Sequence, residues 1–145
     1  MGLSSGPPGG RGGRYLFVYG TLRRGLRNPW ARYLAEKARW LDQARLAGRL
    51  YDLGRYPGLR RSSKAADWVV GDLYRLPEEQ DRWAEVLRAL DEYEGEEFRR
   101  VRAVARRAGR PSVQTWVYEY VPSVLTRPRI LSGDYLDRNA DRDRL

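Results

Sequence analysis

Glu94 is the residue whose type and spacing best suit it to move a proton. Between Glu78 and Gly95 apolar residues recur at helical spacing. At roughly 100° per residue, Val86, Leu87 and Leu90 fall within about 60° of Trp83 and form one apolar stripe. The same count sets Glu94 about 20° from Trp83, inside the stripe, and turns Glu92 to the opposite side. So Glu94, of the nearby acids, is the one aimed inward. A carboxylate carried into an apolar interior is costly unless it is paired or used. Two structural readings compete with use: a helix that has ended by Tyr93, leaving Glu94 at the surface, and an ion pair with an arginine. In a working site, partial desolvation would raise the Glu94 pKa towards the range of a general base.

A second constellation, Tyr19-Gly20-Thr21-Leu22, follows directly on an apolar run. Gly20 allows a sharp turn with exposed backbone, and successive N–H groups there can form a nest for an anion. A carboxylate or a developing oxyanion is its natural guest. A routine glycine turn is the structural alternative, and only the pairing with an inward acid makes the segment a candidate site.

The composition narrows the chemistry. With no Cys and no His among 145 residues, thiol nucleophiles, imidazole acid–base pairs, disulfides and the usual zinc sites are excluded. Acid–base work falls to Asp, Glu, Lys or Tyr. Lys37 and Lys64 are the only lysines, so arginine carries nearly all of the 28 positive charges and the net charge of +9. Such charge can attract phosphates, but no nucleic-acid motif accompanies it, and a solvated arginine-rich surface explains it as well. No apolar run reaches the ~18 residues that cross a membrane, and no signal peptide is evident. A cytoplasmic, metal-free protein is expected.

The elements that must position these residues follow from pattern. Residues 1–13 are mostly Gly, Pro and Ser and read as a flexible tail. A strand is expected over Arg14–Tyr19, and a helix capped by Asn28, opened by Pro29 and running to about Trp40. Strands over Ala44–Leu53 and Trp68–Leu76 enclose a loop of turn formers at Gly54–Gly58. A second helix opens near Pro77, with Glu78 and Glu79 in its first turn, and stops near Gly95. Strands over Phe98–Arg106 and Ser112–Val121 flank a turn at Gly109-Arg110-Pro111. Ten Tyr and five Trp imply an aromatic-rich core. Residues 14–136 form one α+β domain with a mixed or closed sheet, and 137–145 a charged tail.

The segment Phe17-Val18-Tyr19-Gly20-Thr21-Leu22-Arg23-Arg24-Gly25 resembles the opening motif of the γ-glutamylcyclotransferase-like superfamily, in the spelling of its γ-glutamylamine cyclotransferase and plant avirulence-induced branch. Leu90-Asp91-Glu92-Tyr93-Glu94-Gly95 resembles the second motif, whose last Glu is the family's proton acceptor. Tyr56-Pro57-Gly58, Gly71-Asp72-Leu73-Tyr74, Trp116-Val117-Tyr118 and Ile130-Leu131-Ser132-Gly133-Asp134 follow in the family's order. The resemblance implies a small mixed β-barrel with attached helices, no cofactor, and release of 5-oxoproline from a γ-glutamyl amine or amino acid. It makes Glu94 the acid–base residue, sets Tyr19, Gly20, Thr21 and Leu22 around the polar end of the substrate, and adds Tyr118 to the site. Relatives often continue the first motif with Asn-His; here Asn28-Pro29 stands instead. Arg23, Arg24 and Arg27 are expected to be solvated, and the loop Leu53–Ser63 to govern substrate choice. A non-catalytic module holding a small carboxylate, and a basic nucleic-acid-associated protein, are the alternatives.

Overall fold

The computed structural model describes residues 14–64 and 66–137; the expected tails lie outside them except for Asp137. Its elements are β1 (Tyr15–Val18), α1 (Pro29–Lys37), β2 (Arg39–Asp52), β3 (Pro57–Arg61), β4 (Trp68–Arg75), α2 (Gln80–Glu94), β5 (Phe98–Arg106), β6 (Val113–Tyr120) and a 3-10 turn at Tyr135–Asp137. The strands run in the order β1-β4-β2-β3-β6, and β6 returns to pair with β1. Five strands thereby close a barrel, and β5 is a further strand bonded to both β6 and β2. The sheet is mixed: β6 lies parallel to β1 at Leu16–Trp116 and to β3 at Leu59–Glu119, while the other pairings are antiparallel. Closure leaves β1 short without leaving it as an open edge.

Two apolar clusters organise the interior. One fills the barrel with Phe17, Leu46, Leu50, Leu59, Val69, Leu73 and Val117. The other lies between the barrel wall and the helices, where Leu16, Val18 and Leu22 meet Leu34 of α1 and Val86, Leu87 and Leu90 of α2. The α2 stripe is therefore buried as its periodicity predicts. The tryptophans depart from expectation, because all five are only half-buried. Three of them are platforms for arginine: Arg24 lies over Trp40, Arg45 and Arg106 over Trp68, and Arg100 and Arg102 over Trp116. Their apolar faces cover the barrel while guanidinium groups shield them from water.

Several boundaries move for physical reasons. The first helix stops at Lys37, and Trp40 and Leu41 belong to β2. A helical count cannot separate Leu41 from Trp30, Tyr33 and Leu34, but backbone pairing with β4 from Arg39 onward claims it for the sheet. The expected loop over Gly54–Gly58 ends early, because Pro57–Arg61 is strand β3 paired with β2. Pro57 is the first residue of that strand, a position where its missing N–H costs nothing. The second helix starts at Gln80, so Glu78 and Glu79 precede it and Asp81 is the acid of its first turn. At the other end Gly95 adopts φ +83°, a conformation that stops the helix immediately after Glu94.

Candidate active site

The segment after β1 turns back over the barrel mouth. Arg23 N–H bonds Gly20 O at 3.1 Å, closing a four-residue turn with Thr21 and Leu22 at its centre. Gly20 does not have positive φ, and its backbone is buried instead of exposed. Its lack of a side chain serves a close approach: a Cβ there would stand 2.6 Å from Cγ of Pro57. The amide protons of Gly20, Thr21 and Leu22 are taken by no acceptor among the described residues. Successive backbone N–H groups left without an acceptor suit an anionic guest.

This turn is held from both ends. Asp72, buried on β4, accepts Arg23 Nε at 3.0 Å, Arg24 N–H at 3.0 Å and Trp40 Nε1 at 3.1 Å. Arg23 also donates to Asp134 Oδ1 at 2.7 Å through Nη1. Arg23 is thus 5% exposed, against the expectation that it is solvated; Arg24 and Arg27 are exposed as expected. At the other end, Asn28 donates through Nδ2 to Thr21 O at 2.7 Å. The Thr21 hydroxyl lies 3.0 Å from the Tyr93 hydroxyl on α2, and Tyr93 stacks on Trp30 of α1.

Tyr19, Gly20, Thr21, Leu22, Glu94 and Tyr118, expected from sequence to form the site, all line one cavity of about 320 Å³. Its remaining wall comes from Phe17 and Val18 of β1, from Tyr56 and Pro57, and from Tyr93 and Phe98 on either side of the α2 stop. Among the described residues, Glu94 is the only carboxylate in this lining, and neither Arg nor Lys contributes to it. Glu94 is neither frayed away from the helix nor paired with an arginine among the described residues. Burial, and then the charge of Asp91, raises its pKa to about 7. The negative end of the α2 dipole acts in the same direction.

The two tyrosines are fixed hydrogen-bonding struts. Tyr19 donates to Tyr118 O at 2.6 Å and accepts from Leu59 N–H at 3.1 Å. Tyr118 donates to Asp91 Oδ1 at 2.7 Å. Burial raises both phenols well above their ordinary value, and the Glu94 carboxylate adds to the rise in each. Both remain neutral at working pH, so Glu94 is left to titrate near neutrality.

The helical count does not single out Asp91, which lies about 80° from Trp83, just outside the stripe. It is half-buried nonetheless. Arg100 grips it through Nε and Nη2 at 2.8 and 3.2 Å, and the β5–β6 register sets Arg100 opposite Tyr118. Asp91 thereby orients Tyr118 and holds the Glu94 pKa up. Replacing Asp91 by Asn should move the acidic limb of a kcat/KM–pH profile to lower pH, because a negative neighbour of Glu94 is lost. A limb that stays in place would show that burial sets it unaided.

Comparison with known proteins agrees with this architecture. Residues 16–137 match the family described as "Gamma-glutamyl cyclotransferase, AIG2-like", and the chain belongs to that family. Over 80 residues it is 39% identical to the gamma-L-glutamyl-butirosin B gamma-glutamyl cyclotransferase of Niallia circulans, covering 54% of this chain and 44% of that enzyme. An AIG2-like protein from Mus musculus superposes with a TM-score of 0.62 at 26% identity, over 80% of this chain and 84% of that one. YkqA from Bacillus subtilis shares the fold with a TM-score of 0.68 at 20% identity, over 91% of this chain and 43% of that one. This chain therefore spans less than half the length of both the butirosin enzyme and YkqA.

Proposed function

We propose that this protein cyclises a γ-glutamyl group, releasing 5-oxoproline and an amine, with Glu94 as the acid–base residue. The observation that carries this reading is Glu94 itself, poised at a pKa of about 7 in the same small cavity as the open amides of Gly20, Thr21 and Leu22. The substrate's α-nitrogen attacks its own γ-carbonyl carbon, forming the ring C–N bond, and the original amide C–N bond then breaks. On its way from ammonium to lactam N–H that nitrogen sheds two protons. Glu94 accepts one and passes it to the departing nitrogen, and the other ends on the released amine, which leaves protonated at neutral pH. The open amides receive an anionic oxygen of the γ-glutamyl group. The cavity, at about 320 Å³, is at the small end of ligand sites and holds the substrate in its folded, near-attack shape.

The wall also favours one kind of leaving group. A γ-glutamyl amino acid brings a second carboxylate, and among the described residues no Arg or Lys lines the cavity to receive it. A γ-glutamyl amine brings no such charge and meets the rings of Tyr56, Tyr93 and Phe98. An unpaired buried charge is expensive, so γ-glutamyl amines should exceed γ-glutamyl amino acids and glutathione in kcat/KM by about tenfold or more. The test follows 5-oxoproline by mass spectrometry across a panel of all three classes. No product from any member, with saturable binding of small carboxylates, would replace cyclisation by a binding function.

A further inference from the structure

We infer that Asn28 is a positioning residue of the site: it holds the Thr21–Leu22 peptide so that the Leu22 N–H is presented to the substrate. The inference rests on the cyclotransferase reading of the cavity. Asn28 is the N-cap of α1, and its Oδ1 accepts the Ala31 N–H at 2.8 Å. That bond fixes which way the side-chain amide faces, leaving Nδ2 to donate to Thr21 O at 2.7 Å. One side chain therefore joins the start of α1 to the centre of the turn.

The Thr21–Leu22 peptide is the middle unit of the turn closed from Arg23 N to Gly20 O. In such a turn the middle peptide stands across the plane of the loop, so its C=O and N–H face opposite sides. In a trans peptide these two groups point in opposite directions. A donor fastened to Thr21 O from the α1 side turns Leu22 N–H away from α1. Leu22 lines the cavity, and its amide proton has no acceptor among the described residues. The Asn28 bond also polarises the peptide, because hydrogen bonds in a chain strengthen one another, and makes Leu22 N–H a better donor. Of the turn's other fastenings, Asp72 on Arg23 and Arg24 acts two peptides further along and Tyr93 meets the Thr21 side chain, which leaves the middle peptide to Asn28.

The two roles of Asn28 separate by substitution. Asp and Ser both serve well as N-caps, yet Asp has no donor for Thr21 O and Ser is too short to reach it. Asn28→Asp and Asn28→Ser are expected to melt close to the wild type while losing about tenfold or more in kcat/KM. The loss should fall mainly in KM. In both variants the ¹⁵N resonance of the Leu22 amide should move upfield, while amides of β2, β4 and β5 stay in place. Wild-type KM in both variants overturns the inference, as does loss confined to Asn28→Asp, which would identify the new charge as the cause. A fall in melting temperature that accounts for the activity loss overturns it as well. Should the wild type turn over no γ-glutamyl compound, the cyclotransferase reading fails separately. The Leu22 resonance and L-glutamate titrations of wild type and variants then decide the Asn28 role: an unmoved resonance or unchanged affinity overturns it.

Discussion

Glu94→Gln is expected to lower kcat/KM by about two to four orders of magnitude and, above neutral pH, to make the protein more stable. Both effects have one origin. The proposed reaction needs a carboxylate that is ionised while half surrounded by apolar wall, and burial opposes that ionisation, raising the Glu94 pKa to about 7. In the unfolded chain the same group has an ordinary value of 4.5, so between pH 4.5 and 7 the folded protein holds the proton that the unfolded chain releases. The stability associated with this raised pKa is fully present below about pH 4.5 and is lost as pH rises through about 7. The difference of roughly 2.5 units corresponds to about 3 kcal/mol. Glutamine, always neutral, escapes the penalty. Urea denaturation of wild type and variant at several values between pH 4.5 and 8 should give curves that converge at the acid end. They should diverge to about 3 kcal/mol at the alkaline end. A difference that does not vary with pH would show that Glu94 is not desolvated, and the argument for it as the base would fall with it.

What could be read from the sequence, and what could not, divides along the range of the forces involved. The inward aim of Glu94 follows from the spacing of Trp83, Val86, Leu87 and Leu90, and the stop after it from Gly95; both are local, and both hold in the structure. The turn after Tyr19 is legible from Gly20, but not the reason for that glycine, which is the approach of Pro57, a residue 37 positions away in a strand that reads as a loop. Pro57–Arg61 earns its extended form from pairing with β2, and Trp40 and Leu41 are drawn from helix to strand by β4. Asp91 escaped because a helical wheel ranks residues against one stripe, whereas its partners Tyr118 and Arg100 come from other strands. Arg23 reads as solvated for the same reason, yet it is buried. A surface arginine and a buried one look alike in sequence until Asp72 and Asp134 are brought beside it.

That buried arginine leads to the second large effect, which separates stability from function. Asp72→Ala removes the acceptor shared by Arg23, Arg24 and Trp40 and leaves a guanidinium that is 5% exposed with Asp134 as its remaining carboxylate partner. Breaking one side of a buried pair costs about 3–5 kcal/mol, because the surviving charge stays desolvated. For a chain of this size that corresponds to a fall of roughly 8 °C or more in melting temperature. Asp72→Leu combined with Arg23→Met removes both buried charges and should recover most of that loss, since apolar pairs of similar volume replace buried ion pairs at little cost. It should not recover the site. The Arg24 N–H still lacks the carboxylate that anchors the end of the turn, so the Arg23 N–H to Gly20 O closure beside it loosens and KM stays raised. A double variant that regains stability but not KM would assign Asp72, through its bond from the Arg24 N–H, to holding the turn. One that regains both would mean that the turn keeps its shape without the clamp, through Asn28 and the packing of Gly20 on Pro57.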